Sequence, residues 1–144
     1  SINKNKGTFG GEPSGTWLHP DFCMCPDGLL SGLRIVRTIQ KNGKLSKQLD
    51  AIENYPTIRQ KVTCENSKKK TVMSIVEEKF EEEFDDVKEI LTIDGVRISF
   101  EDDSWVLIRP SGTEPYIRIT AEGKTQEHLN SIEKISNEFL NNII

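Results

Sequence analysis

The sequence predicts an α+β fold, an antiparallel sheet with two helices on one face, preceded by a shorter segment of mixed character. Three observations lead there. Val96, Ile98 and Phe100 alternate with Arg97 and Ser99, as a half-buried strand requires. Two stripes at helical spacing flank a run of short strand-like segments: Val72, Met73, Val76 and Phe80, then Leu129, Ile132, Ile135, Phe139 and Leu140. The order strand, helix, several antiparallel strands, helix leaves both helices on one face of the sheet.

Taken in order, residues 1 to 8 are polar without apolar periodicity and are expected to be a flexible start. Phe9 to Thr16 is a glycine-rich loop. Trp17-Leu18-His19 reads as a short strand and Pro20 to Pro26 as a connection, before Asp27 caps a helix running to about Lys41. Leu29, Leu33 and Val36, with Leu30 and Ile39 on the flank, form its apolar stripe, expected to pack on a sheet. Asn42-Gly43 stops that helix. Lys44 to Ile52 is a second helical piece, with Leu45, Leu49 and Ile52 on one side. A boundary falls near Glu53-Asn54-Tyr55-Pro56, giving domains 1–53 and 54–144.

From Thr57 the chain is strand-like, with Ile58, Val62 and Cys64 in loose alternation. Asn66-Ser67 is an N-cap candidate for the helix that follows. Lys68, Lys69 and Lys70 oppose that helix's dipole. The run is read as a solvated helix start, with attraction of phosphate as the alternative. Glu89 to Ile93 leads by an Asp94-Gly95 turn into Val96 to Phe100. Glu101 to Ser104 is a polar turn to Trp105–Ile108, and Tyr116 to Thr120 returns. Gly123 ends that strand, and Thr125 caps the last helix.

Composition narrows the function classes. The 144 residues carry 35% hydrophobic and 29% charged side chains, enough for a core, with a net charge of −4. Such a balance gives no general attraction to nucleic acid or an anionic membrane. No apolar run approaches the roughly 20 residues a membrane helix needs, and the first residues lack a signal-peptide core; a cytoplasmic location is expected. Cys23, Cys25 and Cys64 lack the ligand count of a zinc site and read as reduced thiols. His19 and His128 sit in no metal or triad pattern.

The chemistry concentrates in Arg109-Pro110-Ser111-Gly112-Thr113-Glu114-Pro115, set between two apolar strands. A phosphate monoester is nearly a dianion at neutral pH and calls for fixed cationic and neutral donors. Arg109 offers a planar guanidinium that pairs two oxygens; Ser111 and Thr113 offer hydroxyls. Gly112 permits close backbone approach and positive φ, and the prolines stiffen both ends. A plain turn is the alternative, since Pro, Ser and Gly favour turns for local reasons. Arg118, three residues beyond, is close enough to reach the same anion. Glu114 would repel a dianion, so its side chain is expected to turn away.

The stretch Asp94 to Phe100, followed by Ser104 to Pro115, resembles the C-terminal domain of the α-D-phosphohexomutases, the phosphoglucomutases, phosphomannomutases and phosphoglucosamine mutases. Gly10-Gly11-Glu12-Pro13-Ser14-Gly15-Thr16 resembles that family's sugar-binding loop, which has His or a small residue where Thr16 stands. The resemblance implies a TATA-box-binding-protein-like C-terminal domain, preceded by part of an α/β third domain. It also implies phosphate binding by Arg109, Ser111, Gly112, Thr113 and Arg118, with Glu12 and Ser14 gripping the ring of a hexose or hexosamine phosphate. The phosphoserine loop and the Mg²⁺ loop of the family have no counterpart in this sequence. A C-terminal fragment without catalytic residues of its own is therefore expected, its partners being the missing N-terminal domains and no nucleic acid or membrane. In the family reaction a phosphoserine gives its phosphoryl group to a sugar phosphate and takes back the other one, with Mg²⁺ assisting at the serine. The domain boundary is the expected hinge. A stand-alone phosphosugar-binding module is the first alternative. A nucleic-acid-binding domain rests on fold analogy alone and conflicts with the acidic charge. The Glu12–Thr16 motif leans toward phosphoglucosamine or phosphomannose chemistry.

Overall fold

A computed structural model describes residues 6–12 and 14–144. Residues 1–5, most of the expected polar start, and Pro13 of the glycine-rich loop lie outside the described residues. Two units are distinguished, Ser1–Glu53 and Asn54–Ile144, and each is described by itself.

In the first unit, β1 (Gly10–Gly11), β2 (Trp17–His19) and β3 (Cys23–Pro26) form a three-stranded antiparallel sheet in that order. The connection expected over Pro20 to Pro26 is thus partly a strand. Phe22 N–H donates to His19 O at 2.9 Å, closing a tight turn that returns the chain along β2, where its backbone groups find partners. Helix α1 (Gly28–Asn42) starts where Asp27 Oδ1 accepts from Leu30 N–H at 2.8 Å. It ends at Gly43, whose φ of 84° carries the chain out of the helix. A shorter helix, α2, spans Leu45–Leu49. The side of α1 turned to the small sheet is the one bearing Ser31 and Ile35, with Ser31 Oγ 2.8 Å from His19 Nε2. The stripe of Leu29, Leu33 and Val36 is exposed in the described structure, Leu29 by 86%.

The second unit holds β4 (Thr57–Thr63), α3 (Lys69–Lys79), a 3-10 turn (Phe80–Glu83), β5 (Val87–Leu91), β6 (Val96–Phe100), β7 (Trp105–Pro110), β8 (Tyr116–Glu122) and α4 (Gln126–Ile143). The strands form one antiparallel sheet in the order β4-β8-β7-β6-β5. Alternation sends Val96, Ile98 and Phe100 of β6, Val106 and Ile108 of β7, and Ile117, Ile119 and Ala121 of β8 to one face. There they meet Val72, Met73, Val76 and Phe80, and Leu129, Ile132, Phe139 and Leu140 of α4. The α+β architecture with both helices on one face is the one the periodicities predict. Each fully buried aliphatic or aromatic side chain contributes about 1.5–3 kcal/mol, so this face carries most of the unit's stability. The opposite face mixes charged residues, Arg97, Arg109 and Arg118, with Trp105, Leu107 and Tyr116.

Four local expectations are corrected. Strand β5 lies at Val87–Leu91 and not at Glu89–Ile93, because Val87 pairs with Phe100 and a register shift follows it; Ile93 is left 91% exposed. Strand β7 continues through Arg109 and Pro110, which stand opposite Arg118 and Ile117, so the loop proper begins at Ser111. Proline has no N–H to donate and is tolerated at this strand end. Asn66-Ser67 does not cap α3: its cap position is Lys68, with no side-chain bond, and Ser67 Oγ donates to Glu65 instead. The Lys68–Lys70 run is also not uniformly solvated, since Lys69 is buried to 9% exposure. By contrast, Thr125 Oγ1 accepts from His128 N–H at 3.1 Å and caps α4 as its sequence position suggests.

Candidate functional site

Strand register places three cations side by side on the open face of the sheet. Arg109 of β7 is directly opposite Arg118 of β8, and Arg118 is directly opposite Lys61 of β4. Like charges facing each other across strands destabilise a sheet, so a row of three is a costly arrangement unless an anion joins it. Lys61 Nζ stands 4.6 Å and Arg118 Cζ 5.4 Å from the Tyr116 ring centre, within cation–π range. Arg118 Nη2 also donates to the Tyr116 hydroxyl at 3.0 Å, and that hydroxyl donates to Glu114 Oε2. The Glu114 carboxylate, expected to turn away, is held by Tyr116 beside the cationic row.

Arg109 is aimed by the turn before β6. Its Nη1 donates to Asp94 Oδ2 at 3.1 Å, an exposed pair worth about 0–1 kcal/mol. Next to Asp94, Gly95 has φ of 93°, and a Cβ there would lie 2.3 Å from Ile108 O and 2.7 Å from Arg109 Cβ. Only glycine lets this turn press against the Arg109 backbone. Arg109 Nε is buried and has no acceptor among the described residues.

The loop that follows is closed from within. Ser111 N–H donates to Tyr116 O at 3.0 Å, Tyr116 N–H to Glu114 O at 2.8 Å, and Glu114 N–H to Ser111 Oγ at 3.2 Å. Ser111 is therefore a buried brace of the loop, with its hydroxyl oxygen already accepting a bond. Gly112 and Thr113 are exposed, and their amides have no acceptor among the described residues. Gly112 does not have the positive φ expected of it; a Cβ there would meet nothing within 4 Å. From below, the Lys69 ammonium donates to Ser111 O at 2.6 Å and to Glu114 O. A cation at a helix N-terminus loses up to about 1 kcal/mol, while hydrogen bonds from a charged group contribute about 1.5–3 kcal/mol, so the loop contacts prevail. Lys69, Lys61, Asp94, Gly95 and Tyr116 all escaped assignment from sequence. The Asp94-Gly95 dipeptide carried a local turn signal, and Lys69 lay in the Lys68–Lys70 run for which attraction of phosphate is the alternative reading.

In the first unit, Glu12 and Ser14 converge at the tip of the β1–β2 hairpin. Glu12 N–H donates to Thr16 O and Gly15 N–H to Glu12 O, each at 3.0 Å, with Gly15 at φ of 86°. Ser14 Oγ lies 3.3 Å from Glu12 Oε2 and 3.2 Å from Thr16 Oγ1. Thr16, left out of the sequence assignment, joins the cluster. Among the described residues no three His, Cys, Asp or Glu side chains come together as a metal site, and no helix is long and apolar enough to cross a membrane. Cys23 and Cys25 are free thiols 3.0 Å apart; their hydrogen bond pulls the Cys23 thiol below and pushes the Cys25 thiol above its ordinary range.

Comparison with known proteins places the chain in a family. Residues 60–136 match the model of the phosphoglucomutase/phosphomannomutase C-terminal domain, and residues 1–55 that of the family's alpha/beta/alpha domain III. A protein of Methanothermobacter thermautotrophicus named "Probable phosphoglucosamine mutase" is 53% identical over 144 residues, 100% of this chain and 32% of that protein. The phosphoglucosamine mutase of Methanocaldococcus jannaschii is 51% identical over 125 residues, 86% of this chain and 27% of that protein. The chain thus spans about a third of the length of the curated relatives it matches. A solved phosphoglucomutase/phosphomannomutase family protein of Burkholderia thailandensis shares the fold, with a TM-score of 0.79 at 22% identity over 96% of this chain and 29% of that one. The chain belongs to the phosphoglucomutase/phosphomannomutase family and carries sequence of its third and C-terminal domains.

Proposed function

We propose that this chain is the sugar- and phosphate-gripping part of a phosphoglucosamine mutase. It holds the phosphate that is not being transferred while the other one reacts. The carrying observation is the Lys61–Arg118–Arg109 row beside the unpartnered amides of Gly112 and Thr113. A phosphate dianion there neutralises the facing cations, takes a fork of bonds from Arg109 and accepts from the two amides and the Thr113 hydroxyl. Ser111 keeps the loop in shape, and Arg118, steadied by Tyr116, adds charge from the neighbouring strand. Glu12 and Ser14 supply acceptors and a hydroxyl for sugar hydroxyls or the amino group. The hexosamine assignment follows the names of the relatives at about half identity.

Within the intact enzyme, the phosphoserine that exchanges the phosphoryl group and the Mg²⁺ that supplies Lewis-acid charge at it belong to domains outside this chain. What this chain's residues contribute is binding energy remote from the reacting bond, which orients the sugar for transfer at its other end. Titration of the ¹⁵N-labelled chain tests the assignment. Glucosamine 6-phosphate should shift the Gly112 and Thr113 amides and glucosamine, which lacks the phosphate, should not. Equal responses to both sugars would remove the phosphate site.

A further inference from the structure

We propose that Lys69 is a positioning residue for the phosphate loop, a buried cation that sets the direction in which the loop amides point; the proposal rests on the phosphate reading of that loop. A peptide group is planar and trans, so its C=O and the next residue's N–H point in opposite directions. By drawing the Ser111 carbonyl inward at 2.6 Å, the Lys69 ammonium turns the Gly112 N–H outward, and Gly112 is one of the two residues whose amides lack an internal acceptor. Its second bond, to Glu114 O, fixes the far side of the same loop. Together with Ser111 Oγ, which absorbs the Glu114 amide, Lys69 leaves Gly112 and Thr113 as the outward donors.

The charge on Lys69 is the second part of the inference. Lysine is almost never buried unless paired, yet among the described residues Lys69 has carbonyl partners and no carboxylate within salt-bridge distance. Its position at the start of α3, without a side-chain cap, adds unfavourable field from the helix dipole. A dianion bound across the loop supplies the opposite charge that the interior does not. Lys69 thereby acts on the ligand through the loop, without touching it.

Inorganic phosphate titrated into the ¹⁵N-labelled chain is the test. The unsubstituted chain should show the Gly112 and Thr113 amides and the Lys69 ammonium ¹⁵N resonance moving with one dissociation constant. In Lys69→Met, similar in length but without charge or donors, phosphate affinity should fall about tenfold or more, the loss of a charged hydrogen-bonding group, while amides of β5 and β6 stay in place. A folded Lys69→Met chain binding phosphate within twofold of the original overturns the proposal. Should that variant not fold, the ammonium resonance decides alone: one that stays fixed at saturating phosphate also overturns it. Absence of any phosphate response in the unsubstituted chain would instead remove the loop assignment on which the proposal rests.

Discussion

At the scale of single residues, the placement of Arg109 depends on a glycine. Gly95 sits at positive φ with the Ile108 carbonyl and the Arg109 side chain where its Cβ would be. Gly95→Ala therefore meets both a backbone penalty of about 1–2 kcal/mol and a steric one of about 1–3 kcal/mol. We expect urea denaturation of the second unit to show a loss on the order of 2–4 kcal/mol, and the Arg109 amide to shift in the native spectrum. A loss below about 0.5 kcal/mol, the range of a neutral surface substitution, would contradict the close approach. The turn itself was legible from Asp94-Gly95. Its pressing on Arg109 was not, because 14 positions of chain separate Gly95 from Arg109 and only strand register closes that gap.

Among elements, the β6–β7 turn is tied to the start of α4. Asp102 accepts from Ser104 N–H at 2.9 Å and lies 2.8 Å from His128 Nδ1. Burial pushes the Asp102 carboxyl up, but the Ser104 and His128 contacts more than offset this and hold it below the ordinary carboxylate range. A depressed carboxyl contributes stability that is present above its unfolded pKa of about 3.9 and is lost as pH falls through the lower folded value. Acid unfolding followed by circular dichroism should accordingly lose part of its steepness below about pH 4 in Asp102→Asn. An acid limb identical to that of the original chain would show that the tie carries no stability. Element types were largely readable: Asp27 and Thr125 are caps in the structure, and Val96, Ile98 and Phe100 point inward. Boundaries at β3, β5 and β7 were not, since pairing partners extend or shift a strand beyond what its own alternation shows.

For the molecule as a whole, the test is activity. Arg109→Ala in a complete mutase carrying this sequence removes a charged donor pair from the proposed phosphate grip, and we expect kcat/KM for glucosamine phosphate to fall on the order of 10–100-fold or more. Thermal stability should change little, because the guanidinium's recorded ion pair is exposed. Near-normal kinetics would separate Arg109 from the substrate.

What the sequence by itself determined was everything carried by local pattern: the α+β class, both helical stripes of the second unit, two N-caps, and the two motifs by which the family is recognised. These survive because period and capping act within a few residues. Tertiary structure alone decided that Lys69 leaves its charge run to hold the loop 42 residues away, that Lys61 joins Arg118 and Arg109, and that Ser111 braces the loop from inside. Lys61, Arg118 and Arg109 meet only through which strands pair and in what register, and a one-residue slip of a strand would send its side chain to the opposite face. Lys69, at a helix start, and the Ser111 loop meet through the packing of elements far apart in sequence.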